Sequence, residues 1–157
     1  MNTLSYKWVT RQGMKKGIVV VHERKYIDFL VDGLSVKELF SNEYSDKITM
    51  LGWTEYRTDD ELMIEEFLKQ NTPSLKSGRT IIYGCPECGD LGCGAITAEI
   101  VEMKDRFIWK DFSYENEYER NPIENSKHIT QFEFDKQQYI SVFAKISQEI
   151  MKTPREY

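Results

Sequence analysis

Apolar and polar positions change over short stretches along most of this chain, and long helical periods are few. Ile18 to Val21 is an uninterrupted apolar run, the pattern of a buried strand, and Glu23-Arg24-Lys25 turns the chain after it. Tyr26 to Val31 alternates with Ile27, Phe29 and Val31 on one face, which predicts a second strand ended by Asp32-Gly33. Ser35-Val36-Lys37-Glu38 has the spacing of a capping box. Its hydroxyl accepts from a backbone N–H, its glutamate reaches back to the cap, and a short helix through Phe40 follows. Ile48 to Trp53 reads as a further strand. Thr58-Asp59-Asp60-Glu61 repeats the capping-box spacing, with acidic residues at the positive end of the helix dipole. In the helix it opens, Met63 and Phe67, and Ile64 and Leu68, recur four residues apart, and the pattern fades at about Gln70. Pro73 and Ser77-Gly78 then break the chain, so the weak internal boundary of the sequence lies at 73–78.

The second half alternates more cleanly. Arg79 to Tyr83 predicts a strand that runs into a cysteine- and glycine-rich loop, and Ala95 to Met103 predicts the strand that leaves it. In the latter, Ile96, Ala98 and Ile100 share one face and Thr97 and Glu99 the other. Lys104-Asp105 turns the chain into Arg106 to Phe112. Ser113 to His128 is polar, with tyrosines and no period, and reads as a long loop. Phe132 to Phe134 makes a last short strand. Asp135 then starts a C-terminal helix whose Tyr139, Val142, Phe143, Ile146 and Ile150 form one apolar stripe. Strands joined as neighbours, with helices interspersed, predict an α+β fold. Its sheet is mixed and mainly antiparallel, and about three helices accompany it, the last one C-terminal.

The length of 157 residues fits a single domain over 1–157. Apolar residues at 40% and aromatics at 13% supply a core, so neither a disulfide framework nor a metal is needed for folding. The net charge of −5 argues against nucleic acid, which demands clustered lysine and arginine. It suits a basic protein partner or simple solubility. The longest apolar run is too short to cross a bilayer, and Met1 to Gly17 lacks the apolar segment of a secretory signal. No membrane partner is expected, and a reducing cytoplasm fits three cysteines crowded within nine positions.

Those cysteines carry the one distinctive chemistry. Cys85-Pro86-Glu87-Cys88-Gly89 has the local form of a metal knuckle: two thiolates two residues apart reach one ion, proline stiffens the turn, and glycine lets amides approach the sulfurs. Cys93 supplies a third sulfur. A tetrahedral zinc site needs a fourth ligand, from Asp90, His22, His128 or another chain; water is a further option, but an open position belongs to a catalytic site. A second reading is dithiol–disulfide chemistry at Cys85 and Cys88. Against it, the segment after the loop alternates like a strand, offering no helix N-terminus, and Glu87 and Asp90 place negative charge beside the thiols. A third reading makes the cysteines small buried fillers of a tight turn.

Little else carries chemistry. His22 and His128 are the only histidines, and no phosphate-binding glycine motif is present. Asp111, Tyr114, Glu115, Asn116, Glu117 and Tyr118 have the composition of a surface that could meet a basic protein.

The stretch Ile82-Tyr83-Gly84-Cys85-Pro86-Glu87-Cys88-Gly89-Asp90-Leu91-Gly92-Cys93-Gly94-Ala95 resembles a signature of small uncharacterised bacterial proteins. So do Trp109-Lys110-Asp111-Phe112-Ser113-Tyr114-Glu115-Asn116 and Phe132-Glu133-Phe134-Asp135. The resemblance spans roughly Ser77 to Phe143. It implies a bacterial cytoplasmic protein and assigns no catalytic residue, although some members carry an oxidoreductase label. The leading expectation is a non-catalytic acidic interaction or inhibitor module of the immunity-protein type, with a structural cysteine loop and either no cofactor or zinc. The rival is a thiol-dependent oxidoreductase using Cys85 and Cys88.

Overall fold

The computed structural model describes residues 1–40, 42–123 and 131–154. Strands β1 (Leu4–Arg11), β2 (Met14–Lys16), β3 (Val19–Val21) and β4 (Arg24–Val31) form one long hairpin. At its base β1 pairs antiparallel with β4, Trp8 opposite Ile27 and Tyr6 opposite Phe29. At its tip β2 pairs with β3. The hairpin corrects two expectations. Leu4, Tyr6 and Trp8 alternate with polar neighbours and make a strand that the intervening charges hide in the sequence. Ile18 to Val21 is not buried: Ile18 is 100% exposed and Val19 and Val20 are open to solvent, because the ribbon projects beyond the layer that covers β4.

Asp32 (φ 52°) and Gly33 (φ 84°) both lie in the left-handed region. That is the geometry of a tight turn whose twist matches paired strands, and it delivers the chain into β5 (Leu34–Ser35), which pairs with β4. The Ser35 hydroxyl accepts from Lys37 N at 3.3 Å, as its capping role predicts, but the helix it starts is a single 3-10 turn, Val36–Leu39. The stretch 48–53 is not a strand. Ile48 makes one bridge to Gly84, and the Leu51 carbonyl accepts from Ile27 N at 3.0 Å. Gly52, at φ 103°, then turns the backbone away.

Helix α1 (Arg57–Phe67) starts one residue before the expected cap. Tyr56 holds the cap position but its side chain does not cap the helix, and Thr58 lies inside the helix. Asp59 and Asp60 do occupy its first turn, and Asp60 accepts from Gly52 N at 2.9 Å. The helix stops at Phe67, with Lys69 at φ 58°.

Strands β6 (Thr80–Tyr83), β7 (Ala95–Glu102), β8 (Arg106–Glu115), β9 (Arg120–Pro122) and β10 (Gln131–Asp135) build an antiparallel sheet in the order β10-β8-β7-β6, with β9 also on β8. The expected long loop from Ser113 is therefore partly sheet: β8 continues through a bulge at Asp111 (φ 53°) to Glu115 and returns as β9. Arg79 fills that bulge, donating to the carbonyls of Asp111 and Thr97. Backbone groups freed by an extra residue are thus satisfied by a side chain. Helix α2 (Lys136–Lys152) begins at its predicted cap, Asp135, whose carboxylate accepts from Gln138 N at 3.1 Å.

Hydrogen bonds tie the two main sheets together at both margins. Asn2 bridges to Phe134 on β10, while the stretch around Ile48 and Leu51 links β4 to the end of β6. The five buried residues of α2 are the predicted stripe, and they pack with Phe29, Phe67 and Trp109 into one aromatic core. Trp109 Nε1 donates to the Tyr139 hydroxyl (3.0 Å), which donates to the Phe67 carbonyl (2.7 Å), joining sheet to both helices. The architecture is α+β with a mixed, mainly antiparallel arrangement and a C-terminal helix.

Candidate functional site: a three-cysteine knuckle

The loop between β6 and β7 folds back on itself because two glycines adopt positive φ, Gly89 at 67° and Gly94 at 83°. Between them Asp90 caps a 3-10 turn, Leu91–Cys93, its Oδ1 accepting from Gly92 N at 3.1 Å. This brings the sulfurs of Cys85, Cys88 and Cys93 within 4.8 Å of one another. All three are free thiols; Cys85 is half-buried, Cys88 and Cys93 are exposed. Cys88 Sγ and Cys93 Sγ lie 3.4 Å apart, too far for a bond of about 2.05 Å. Four sulfurs about 2.3 Å from a tetrahedral zinc would stand about 3.8 Å from each other, so the cluster has the dimensions of a thiolate site.

Backbone donors converge on these sulfurs. The amides of Glu87 and Cys88 donate to the Cys85 sulfur, and Asp90 N donates to Cys88 Sγ at 3.4 Å. Burial pushes the Cys85 thiol up, but the Cys88 and Glu87 amides outweigh it and its pKa falls below the ordinary value. Hydrogen bonding to Cys88, followed by the negative charge of Cys85, pushes Cys93 up to about 11. The Cys85 thiol is eased toward its charged form while Cys93 resists; a bound cation removes that repulsion.

The expectation that Glu87 lays bare negative charge beside the thiols is corrected. Glu87 points away into a basic clamp: Arg11 donates to Oε1 at 2.8 Å, His22 Nδ1 sits 2.5 Å from Oε2, and Arg24 Nη2 lies 3.9 Å from Oε2. Burial raises its carboxyl, yet Arg11 and His22 overcome this and hold it at about 2. Arg24 also donates to the Pro86 carbonyl at 2.8 Å. The clamp fastens the knuckle to the first hairpin, and it commits His22 to Glu87. Asp90 is committed to its turn, and His128 lies outside the described residues. Among the described residues no histidine, aspartate or glutamate joins the three-sulfur cluster.

The tyrosine-rich segment meets the same end of the molecule. A Cβ on Gly94 would run into the Tyr114 ring, and one on Gly92 would approach Glu117 Oε1 to 3.3 Å. Tyr114 stacks on Tyr44 (5.7 Å). Asn116 shapes the β8–β9 turn, its Oδ1 accepting from Tyr118 N and Glu119 N. Glu117 and Tyr118 are exposed, Tyr118 by 90%. Asp111 is exposed on the bulge, apart from that tip. Glu115 faces inward: it is buried, accepts from Thr97 Oγ1 at 2.8 Å and lies 3.7 Å from Arg79. The six residues thus divide into a surface tip, a bulge and a buried ion pair.

Two buried carboxylates escaped the sequence reading. Asp28 accepts from Ser35 Oγ (2.5 Å) and the Tyr83 hydroxyl (2.7 Å). Glu66 lies on the buried face of α1, three residues after Met63, and that position within an apolar stripe was its only signal. No helix among the described residues is long and apolar enough to cross a membrane. No family model, curated protein or solved structure matches this chain.

Proposed function

We propose that this protein is a non-catalytic, bacterial, cytoplasmic interaction module whose cysteine knuckle holds a zinc-class cation, and that its partner is a basic protein met at the knuckle end. The observation that carries the metal reading is the convergence of three free sulfurs with backbone N–H groups already turned toward two of them. Such amides stabilise thiolates, and they fix the ligands before the ion arrives. The fourth ligand comes from outside the cluster, as solvent or a partner group. The exposed tip at Glu117, Tyr118 and Glu119 lies beside the knuckle, and with the net charge of −5 it favours a basic surface.

Metal analysis and thiol counting on protein purified under reducing conditions test the reading. About one zinc per chain, with three protected thiols, is expected. Cys88→Ser and Cys93→Ser should each weaken zinc binding about 10–100-fold or more. Glu117→Lys combined with Tyr118→Ala should leave zinc unchanged and weaken binding to polylysine. Metal-free protein that cycles a Cys85–Cys88 disulfide at a cytosolic potential would establish the oxidoreductase instead.

A further inference from the structure

Behind the knuckle, α1 and the stretch from Met50 to Tyr56 enclose a cleft of about 730 Å³ that also reaches Cys88 and Gly89. Met50, Trp53, Leu62, Met63 and Ile81 give it an apolar side. Trp53 is a fixed wall, because its Nε1 donates to the Thr49 carbonyl at 2.7 Å and the Arg24 guanidinium lies 4.8 Å from its ring centroid. Lodged among these side chains is Glu66, only 6% exposed. Its Oε2 accepts from Ser74 Oγ at 3.3 Å, while its Oε1 has no hydrogen-bond partner.

A carboxylate buried in apolar surroundings with one oxygen unmatched costs stability and calls for a donor. The remaining charges say which kind. Asp59 lines the same cleft as a further carboxylate, and the described basic residue there, Arg24, is already held by Glu87 and the Pro86 carbonyl, so it is not free to pair with Glu66. Among the described residues Glu66 belongs to no cluster of three or more potential metal ligands. The complementary group is an N–H donor with positive charge on an apolar body: the charge faces Glu66, and the body covers Trp53 and the methionines.

We propose that this cleft is a binding site for an organic cation, an ammonium or guanidinium on an apolar stem, with Glu66 as its counter-charge and Trp53, Met50 and Met63 as its walls. The carboxylate turns about its soft last torsion to present its free oxygen. The cleft borders the knuckle at Cys88 and Gly89, but its counter-charge and its walls come from outside the three-sulfur cluster.

Calorimetric titration of the full chain tests it, using phenethylammonium, the anion phenylacetate, and Nα-acetyl-lysine amide. One or both cations should bind saturably at one per chain, and phenylacetate should not. Tighter phenethylammonium binding assigns the site to a small molecule, and tighter acetyl-lysine amide binding assigns it to a protein side chain. Glu66→Gln keeps the shape and should weaken binding by about tenfold or more. Leu62→Arg, on the exposed rim, should abolish binding with the fold intact, and Met103→Ala, exposed outside the cleft, should leave affinity unchanged. The proposal fails if neither cation saturates, if phenylacetate binds as well, or if Glu66→Gln retains full affinity.

Discussion

Glu66 shows how one side chain can work against the fold that holds it. Burial lifts its carboxyl above the ordinary value of 4.5, and the hydrogen bonds from Ser74 and the charge of Lys69 only partly oppose this. The folded chain therefore holds the proton more tightly than the unfolded chain does. Stability is undiminished below about pH 4.5 and declines as pH rises through the lifted value. Glu66→Gln should accordingly melt at a higher temperature than the parent at pH 7, with the gap closing near pH 4. Thermal unfolding at the two pH values measures it, and a gap independent of pH would refute it. A residue whose removal stabilises the chain is one kept for another task. At this scale Cys85 and Cys88 were legible as a pair, because the knuckle they form is written in five consecutive residues. Glu66 was not: α1 carries acidic residues around much of its surface, and only packing shows which of them faces inward.

Among the elements, the contact between the first hairpin and the cysteine loop matters most. Arg11 on β1, His22 just after β3 and Arg24 on β4 converge on Glu87 from positions more than sixty residues away in sequence. Glu87→Gln keeps the side chain's shape and removes its charge. The loop should then open more often, and the Gly89 amide, which donates to the Cys85 carbonyl at 2.9 Å, should exchange about tenfold faster with solvent hydrogen. Amides in α2 serve as the internal standard and should not change. Strands β4, β6, β7 and β10 and helix α2 follow from local alternation and capping, since each buries one face of a regular period. β1 and the stretch 48–53 do not. The first dilutes its aromatic alternation with lysine and arginine, and the second is apolar without forming a ladder, since it only bridges two sheet margins.

For the molecule as a whole, the core and the knuckle are energetically separable. The aromatic centre around Phe29, Phe67, Trp109 and Phe143 is buried without help from the cysteines, two of which are exposed at one end. With zinc bound as proposed, chelating it should therefore leave far-ultraviolet circular dichroism unchanged and lower the melting temperature by only about 2–4 °C per kcal/mol lost from the loop. Small zinc domains behave otherwise, since their folding free energy is the metal's binding free energy. Unfolding on chelation would show that the knuckle supports the core after all.

The sequence by itself determined the α+β class, the C-terminal helix with its cap and stripe, and a pair of cysteines at the spacing of a metal half-site. Each of these depends on residues close together in the chain, where period, capping and ligand spacing act. Tertiary structure decided that Cys93 joins Cys85 and Cys88, that Glu87 is neutralised from the first hairpin, that Glu115 is buried against Arg79, and that Glu66 lines a cleft. Those outcomes depend on which distant strands come to lie side by side, and on the desolvation and pairing of charges that only a packed chain imposes.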